Sequence, residues 1–137
     1  MFIGENLAPL RRLASLLAVV AIHVGGVDVV GLADVFWVAA SPVWCWGDLD
    51  SHGLRILGSA RKVLPQVQFL LMDLDTLCQF QRLAVPEPSP HPGEVGCLNA
   101  AESLVLDELR RTGLRLEQEH IDWGWAWERT AAVLGGG

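Results

Sequence analysis

Four short apolar runs, separated by segments of helical character, constrain the fold of this chain more than any other feature. The runs span residues 2–4, 19–24, 43–46 and 67–72, and none of them contains Asp, Glu, Lys or Arg. Strands that are apolar throughout, with helices between them, are typical of a parallel sheet that is covered on both faces. The sequence therefore predicts an α/β fold with a mostly parallel four-stranded sheet flanked by helices.

Helices are predicted between and after these runs, at 9–17, 28–38, 54–64, 98–111 and 123–134. Pro9 suits a first helical turn, Pro65 ends the third helix, and Gly113 is a natural C-cap for the fourth. In the fourth helix, helical spacing predicts one buried face. Its members are Ala101, Leu104, Val105 and Leu109.

The chain is predicted to form one domain of three parts. Residues 1–83 form the α/β core, 84–97 a proline-rich loop, and 98–137 a C-terminal helical extension packed on the same domain. Four of the seven prolines stand in the loop, which favours an extended, exposed segment. Hydrophobic residues make up 51% of the 137 residues, which is enough for a buried core.

Charge and cysteine content limit the classes of function. A formal net charge of −6 argues against a general basic coat for nucleic acid. Three scattered cysteines without CxxC spacing indicate reduced thiols in a cytoplasmic protein. The apolar run after Arg11 and Arg12 is interrupted by His23 and Asp28 before it could span a membrane, so no membrane association is expected.

Acidic residues follow three of the four runs. Glu5 follows the first, Asp48 and Asp50 the third, and Asp73 the fourth, while a glycine pair at 25–26 follows the second. Ligands of open α/β sheets bind beyond the carboxyl ends of the strands, where these residues should converge. Two carboxylates this close repel each other, and burial disfavours both charges. A divalent cation relieves that repulsion, and oxygen ligands alone favour Mg²⁺ or Mn²⁺.

Structural alternatives stand beside this interpretation. Asp50 could cap the helix that follows while Asp48 is solvated. Glu5 could stabilise a helix dipole, and Asp73 could cap a helix starting at Leu74. A phosphate-accepting aspartate pocket would need a lysine beyond a later strand, but the only lysine lies inside the predicted third helix.

Several motifs together resemble a Toprim domain. They are Phe-Ile-Gly-Glu-Asn at 2–6, the glycine pair, and Trp-Gly-Asp-Leu-Asp-Ser-His-Gly at 46–53. The Asp-x-Asp-x-x-Gly form is similar to the Toprim domain of topoisomerase VI. A closer resemblance is to the C-terminal domain of JetD, the nuclease component of the Wadjet plasmid-defence system. That family also shows a late Arg-Leu-Glu-Gln-Glu, found here at 115–119, and the resemblance extends from residue 2 to about 134.

The resemblance implies metal-dependent DNA cleavage. Glu5, Asp48 and Asp50 would hold one or two Mg²⁺ (or Mn²⁺) ions, with Glu5 also a candidate general acid or base. Full family members dimerise and work with an SMC-type motor complex, so the implied partners are DNA, a second copy of the chain and the components of that motor. The chain begins within the first strand of the family pattern, which predicts that it lacks the N-terminal DNA-binding part.

Accessory roles are predicted for Glu117, Glu119, His52 and Gly53. The two glutamates could add to the metal site or position it from outside. Alternatively, they could lie on a solvated helix edge or form salt bridges to Arg115 and Arg129. His52 could contact a phosphate or lie exposed at a helix start, and Gly53 permits close approach of the backbone.

The chain contains no tyrosine, so it cannot itself form the phosphotyrosyl bond of type II topoisomerases. Hydrolysis by an activated water is the expected chemistry. The alternative is an inactive, truncated Toprim module that acts only in dimerisation or protein interaction.

Overall fold

The computed structural model describes residues 1–4, 6–14, 20–23 and 28–135. The strands are β1 (Phe2–Gly4), β2 (Ala21–His23), β3 (Val43–Cys45), β4 (Val67–Phe69), β5 (Val85–Pro86) and β6 (Leu114–Arg115). The α-helices are α1 (Leu7–Ala14), α2 (Phe36–Ala39), α3 (Ser51–Val63), α4 (Leu74–Gln79), α5 (Ala100–Thr112) and α6 (Trp123–Gly135). Short 3-10 helices cover Asp28–Asp34, Gln81–Leu83 and Gln118–His120.

The main sheet has the order β2-β1-β3-β4, and every pairing in it is parallel. The four predicted strands and their parallel arrangement are thus confirmed, and the architecture is consistent with a Toprim-like α/β fold. From β1 the chain crosses to β2 on one side and returns to β3 on the other. This reversal makes the carboxyl ends of β1 and β3 the topological switch point, where open sheets bind ligands.

The core is built on both sides of the central strands. Phe2 and Ile3 of β1 are fully buried, as the apolar run predicts for a central strand. α3 covers the sheet with Leu54, Leu57 and Ala60, all inaccessible to solvent. Burial of a leucine or isoleucine side chain stabilises the fold by about 1.5–3 kcal/mol.

Several element boundaries differ from the sequence prediction. The predicted helix 28–38 is a 3-10 helix followed by the short α2, because Val35 between them is extended (φ −92°, ψ 104°). β4 ends at Phe69 rather than at residue 72. The chain turns beyond it, at Leu71, which has φ 59°. α3 begins at Ser51, three residues early, because Asp50 caps it. The ends of the first predicted helix and second predicted strand lie outside the described residues.

The buried face predicted for α5 is partly wrong. Leu104 is 59% exposed, and Ala101 is exposed as well. Glu102 is fully buried instead, because its carboxylate forms a two-pronged ion pair with Arg61 of α3. Val105 and Leu109 are buried as predicted, and Gly113 provides the left-handed C-cap with φ 68°.

Two predictions about the whole chain can be compared with the described residues. Within the described residues no disulfide joins Cys45, Cys78 or Cys97, as their spacing indicates. No helix within the described ranges is long and apolar enough to cross a membrane. The division into core, loop and extension stays a prediction.

Candidate metal centre

Asp48 lies just beyond the carboxyl end of β3, at the switch point beside β1. Its Oδ1 accepts two hydrogen bonds, from the backbone N–H of Gln118 at 2.8 Å and from Asn6 Nδ2 at 3.2 Å. The side chain is 19% exposed, so it is not the solvated carboxylate of the structural alternative. Asp48 is therefore held in a fixed orientation by groups that follow β1 and β6.

Asp50 is more deeply buried, at 6% exposure, and it caps α3. Its Oδ1 accepts a hydrogen bond of 2.7 Å from the backbone N–H of Gly53. The helix-cap alternative for Asp50 is thus correct, but it uses only one of the two carboxylate oxygens. The cap leaves Oδ2 to interact with a cation.

Gly53 allows the backbone to fold tightly around this pair. A Cβ atom at this position would lie 2.0 Å from the carbonyl oxygen of Asp48. That separation is impossible for real atoms, so only glycine fits without a shift of the backbone. The backbone at Asp48 thus approaches Gly53 closely, and the accessory role of Gly53 stays a prediction.

The contact of Arg115 with the two aspartates was not predicted, because the sequence suggested this arginine only as a salt-bridge partner of Glu117 and Glu119. An antiparallel bridge between Leu49 and Leu116 places β6 against the acidic loop. Arg115 Nη2 lies 3.3 Å from Asp48 Oδ2, and Nε lies 3.7 Å from Asp50 Oδ2. The arginine stands in the late motif, but its partners are more than sixty residues away in sequence, so spacing alone could not pair them.

Negative charge dominates the surroundings of Asp50. Burial raises its pKa above the ordinary value, against the lowering effect of the Gly53 hydrogen bond. The charges of Asp48 and Glu87 raise the pKa further, and Arg115 lowers it. In this environment, binding of a cation stabilises the ionised form of the Asp50 carboxylate.

The proline-rich segment contacts the start of α3 directly. Glu87 Oε1 accepts hydrogen bonds from the Ser51 hydroxyl at 2.6 Å and from its backbone N–H at 3.3 Å. The Ser51 hydroxyl in turn accepts from the backbone N–H of His91. His52 Nε2 lies 2.7 Å from the carbonyl oxygen of Ser89, so this histidine contacts the loop rather than the acidic pair.

Of the other acidic residues considered from the sequence, Glu117 lies beside the pair, whereas Glu119 and Asp73 have other surroundings. Glu117 Oε1 is 3.1 Å from Arg115 Nη2, so Glu117 forms the salt bridge that the structural alternative predicted. The same contact places its carboxylate beside the site. Glu119 is exposed and lines a separate cavity of about 170 Å³ with Trp46 and Gln118. Asp73 caps α4 by accepting from the Thr76 N–H, as the structural alternative predicted.

Glu5 lies outside the described residues. Its neighbour Gly4 ends β1, and its other neighbour Asn6 hydrogen-bonds Asp48. Among the described residues, no group of three Asp, Glu, His or Cys side chains could hold a metal ion. The pair that is described offers carboxylate oxygens only, and this donor chemistry fits Mg²⁺ or Mn²⁺.

Fold and site together define an open α/β domain with an acidic pair at its switch point. A family model described as Wadjet protein JetD, C-terminal, matches residues 1–130. The chain therefore belongs to the JetD C-terminal family, which confirms that part of the predicted resemblance and links the chain to a multi-subunit plasmid-defence system. Among curated proteins, none matches the chain.

Proposed function

We propose that this domain is a Mg²⁺- or Mn²⁺-dependent DNA endonuclease of Toprim type, acting in Wadjet plasmid defence and related to the Toprim domain of topoisomerase VI. Membership of the JetD family supports the defence role. The nuclease assignment rests on the chemistry of the acidic pair.

One observation carries the proposal. Asp48 and Asp50 each direct Oδ2 towards the same positive charge, at the switch point where open sheets bind ligands. We include Glu5 as the third acidic residue because Asn6, which follows it, contacts Asp48. A metal centre for phosphate chemistry needs such a group of oxygen ligands.

The residues around the pair orient it for this chemistry. Gln118 and Asn6 hold Asp48, and Gly53 holds Asp50, each through Oδ1. Asp48 and Asp50 would hold a divalent cation, which would supply charge stabilisation for the scissile phosphate and activate a water for hydrolysis. Glu5 is the proposed general acid or base. Because the chain contains no tyrosine, water is the proposed nucleophile.

The experiment is a plasmid-nicking assay with Mg²⁺ on the wild type, Asp48→Ala and Asp107→Ala. Asp107 is exposed on α5 and serves as the matched acidic control. We expect cleavage by the wild type and the control, loss of cleavage in Asp48→Ala, and complete inhibition by EDTA. Equal cleavage by all three proteins, or none by the wild type together with its Wadjet partners, would refute the nuclease proposal.

Partners follow from the same proposal. Membership of a multi-subunit system makes interaction with its other components plausible, and we propose DNA, an SMC-type motor complex and a second copy of this chain as the specific partners. Light scattering after size-exclusion chromatography tests the homodimer, with twice the 14.9 kDa chain mass as the expected result.

A second candidate is a non-catalytic module that acts only in dimerisation or protein interaction. It is favoured by the helix cap at Asp50 and by the ion pairs of Arg115, which give both aspartates a structural role. This candidate predicts that Mg²⁺ leaves the melting temperature unchanged. A working metal site predicts a rise, since a ligand that binds only the folded state stabilises it.

A further inference from the structure

The two aspartates divide their oxygen atoms in the same way. Oδ1 of Asp48 and Oδ1 of Asp50 accept hydrogen bonds that fix the carboxylates, from Gln118 and Asn6 in one case and from Gly53 in the other. Among the described residues, the contacts recorded for both Oδ2 atoms are with Arg115. These two Oδ2 atoms are called the outer oxygens. A cation that binds the pair through them therefore competes with the guanidinium of Arg115.

Arg115 contacts these oxygens weakly. Its distances of 3.3 Å to Asp48 and 3.7 Å to Asp50 exceed the roughly 2.7–2.9 Å typical of charge-assisted hydrogen bonds. Nε is buried and, within the described part of the chain, donates no hydrogen bond. The guanidinium thus neutralises charge without the geometry of a strong, permanent ion pair.

The cluster stays negative even with the arginine present. Arg115 faces three carboxylates (Asp48, Asp50 and Glu117), and the charge of a fourth, Glu87, acts on Asp50. The four carboxylates and the one guanidinium together carry a formal charge of −3 when all are ionised. Arg115 therefore reduces the repulsion between the carboxylates but does not balance their charge. A divalent cation is attracted to such a cluster more strongly than a single guanidinium is.

Glu117 is an alternative ion-pair partner for Arg115. Its carboxylate lies 3.1 Å from Nη2, closer than either aspartate, and it is 38% exposed. An outward movement of the guanidinium that keeps the Arg115–Glu117 pair would release both Oδ2 atoms. Glu117 then acts on the site through the arginine rather than as a ligand.

We propose that Arg115 is an exchangeable counter-ion, which neutralises the outer oxygens of Asp48 and Asp50 until a divalent cation replaces it. This inference rests on the proposed metal site. Because the guanidinium must leave before the cation binds, Arg115 weakens the affinity of the protein for the metal. It also reduces the repulsion between the aspartates before binding.

Isothermal titration calorimetry with Mn²⁺ tests this, using the wild type, Arg115→Gln, Arg115→Lys and the control Arg111→Gln. Arg111 pairs with Glu108 on the exposed surface of α5. We expect Arg115→Gln to bind Mn²⁺ about tenfold more tightly, which corresponds to about 1.4 kcal/mol. Arg115→Lys keeps the charge and should stay near the wild-type affinity, as should Arg111→Gln.

Equal or weaker Mn²⁺ binding by a folded Arg115→Gln protein would overturn the exchange. Absence of Mn²⁺ binding in every variant would instead refute the metal site itself, and the exchange with it. Nitrogen NMR provides a second readout, since the Arg115 Nε signal should shift when Mg²⁺ saturates the wild type. An unchanged signal at saturation would show that the arginine stays in place.

Discussion

Replacing Gly53 by alanine should disturb the fold and the acidic pair together. The new Cβ would lie 2.0 Å from the carbonyl oxygen of Asp48, 3.1 Å from its carbonyl carbon and 3.2 Å from Met72 Cε. The methionine side chain can move, but the Asp48 carbonyl belongs to the backbone. That backbone must shift by about 1 Å before the contact reaches the shortest separation seen for real Cβ atoms.

The size of the effect follows from three opposing contributions. Overpacking of a rigid region costs about 1–3 kcal/mol. Weakening of the Asp50 cap costs about 1 kcal/mol, and the higher helix propensity of alanine returns about 1 kcal/mol. We therefore expect the free energy of unfolding of Gly53→Ala to be about 2 kcal/mol lower than that of the wild type, with weaker Mg²⁺ binding because Asp48 moves.

Urea denaturation followed by circular dichroism measures this difference. Gly124→Ala, in the first turn of α6, is the matched control. Among the described residues its Cβ would meet a side-chain atom, Asp122 Oδ1 at 3.2 Å, rather than a backbone atom. We expect the control to stay close to the wild type. Gly53→Ala with unchanged stability and unchanged Mg²⁺ binding would show that the close approach at Asp48 is not required.

Two further predictions concern buried carboxylates. Glu102→Gln should lower the free energy of unfolding by about 3 kcal/mol, because it leaves Arg61 without its buried partner, whereas Glu108→Gln in the exposed pair with Arg111 should change nothing measurable in the same urea titration. The second prediction concerns Asp50 in the presence of EDTA, which removes any bound metal. The free energy of unfolding of the wild type should fall as pH rises from the ordinary carboxyl pKa to the raised pKa of Asp50. In this window the folded state holds a proton on Asp50 that the unfolded state has lost. Asp50→Asn keeps an oxygen for the cap and does not titrate, so its stability profile should be flatter in this window, and an identical profile would contradict the raised pKa.

The sequence predicts the sheet well because apolar runs carry strong local information. Each of the four predicted runs contains one strand of the main sheet, and the central strands β1 and β3 are buried apart from the partly buried Trp44. The boundaries are less predictable because single residues set them. The cap at Asp50 places the start of α3 three residues before the predicted one, and the positive φ of Leu71 marks a turn after β4.

The acidic pair is predictable from sequence, but its environment is not. Asp48 and Asp50 follow a strand directly, so the parallel topology alone brings them to the ligand-binding edge of the sheet. Arg115 and Glu87 reach the pair through long-range packing of β6 and of the proline-rich segment. Burial of Glu102 likewise depends on Arg61 of a different helix, which no helical periodicity records.

The most direct test of the metal site is a crystal structure of the domain grown with Mn²⁺, with anomalous diffraction used to locate the ion. The metal centre predicts a single strong anomalous peak, or two close peaks, within about 2.2 Å of Oδ2 of Asp48 and Asp50. The same crystals should show Arg115 turned towards Glu117. A peak elsewhere, or none at the pair with Arg115 still between the two aspartates, would contradict the account.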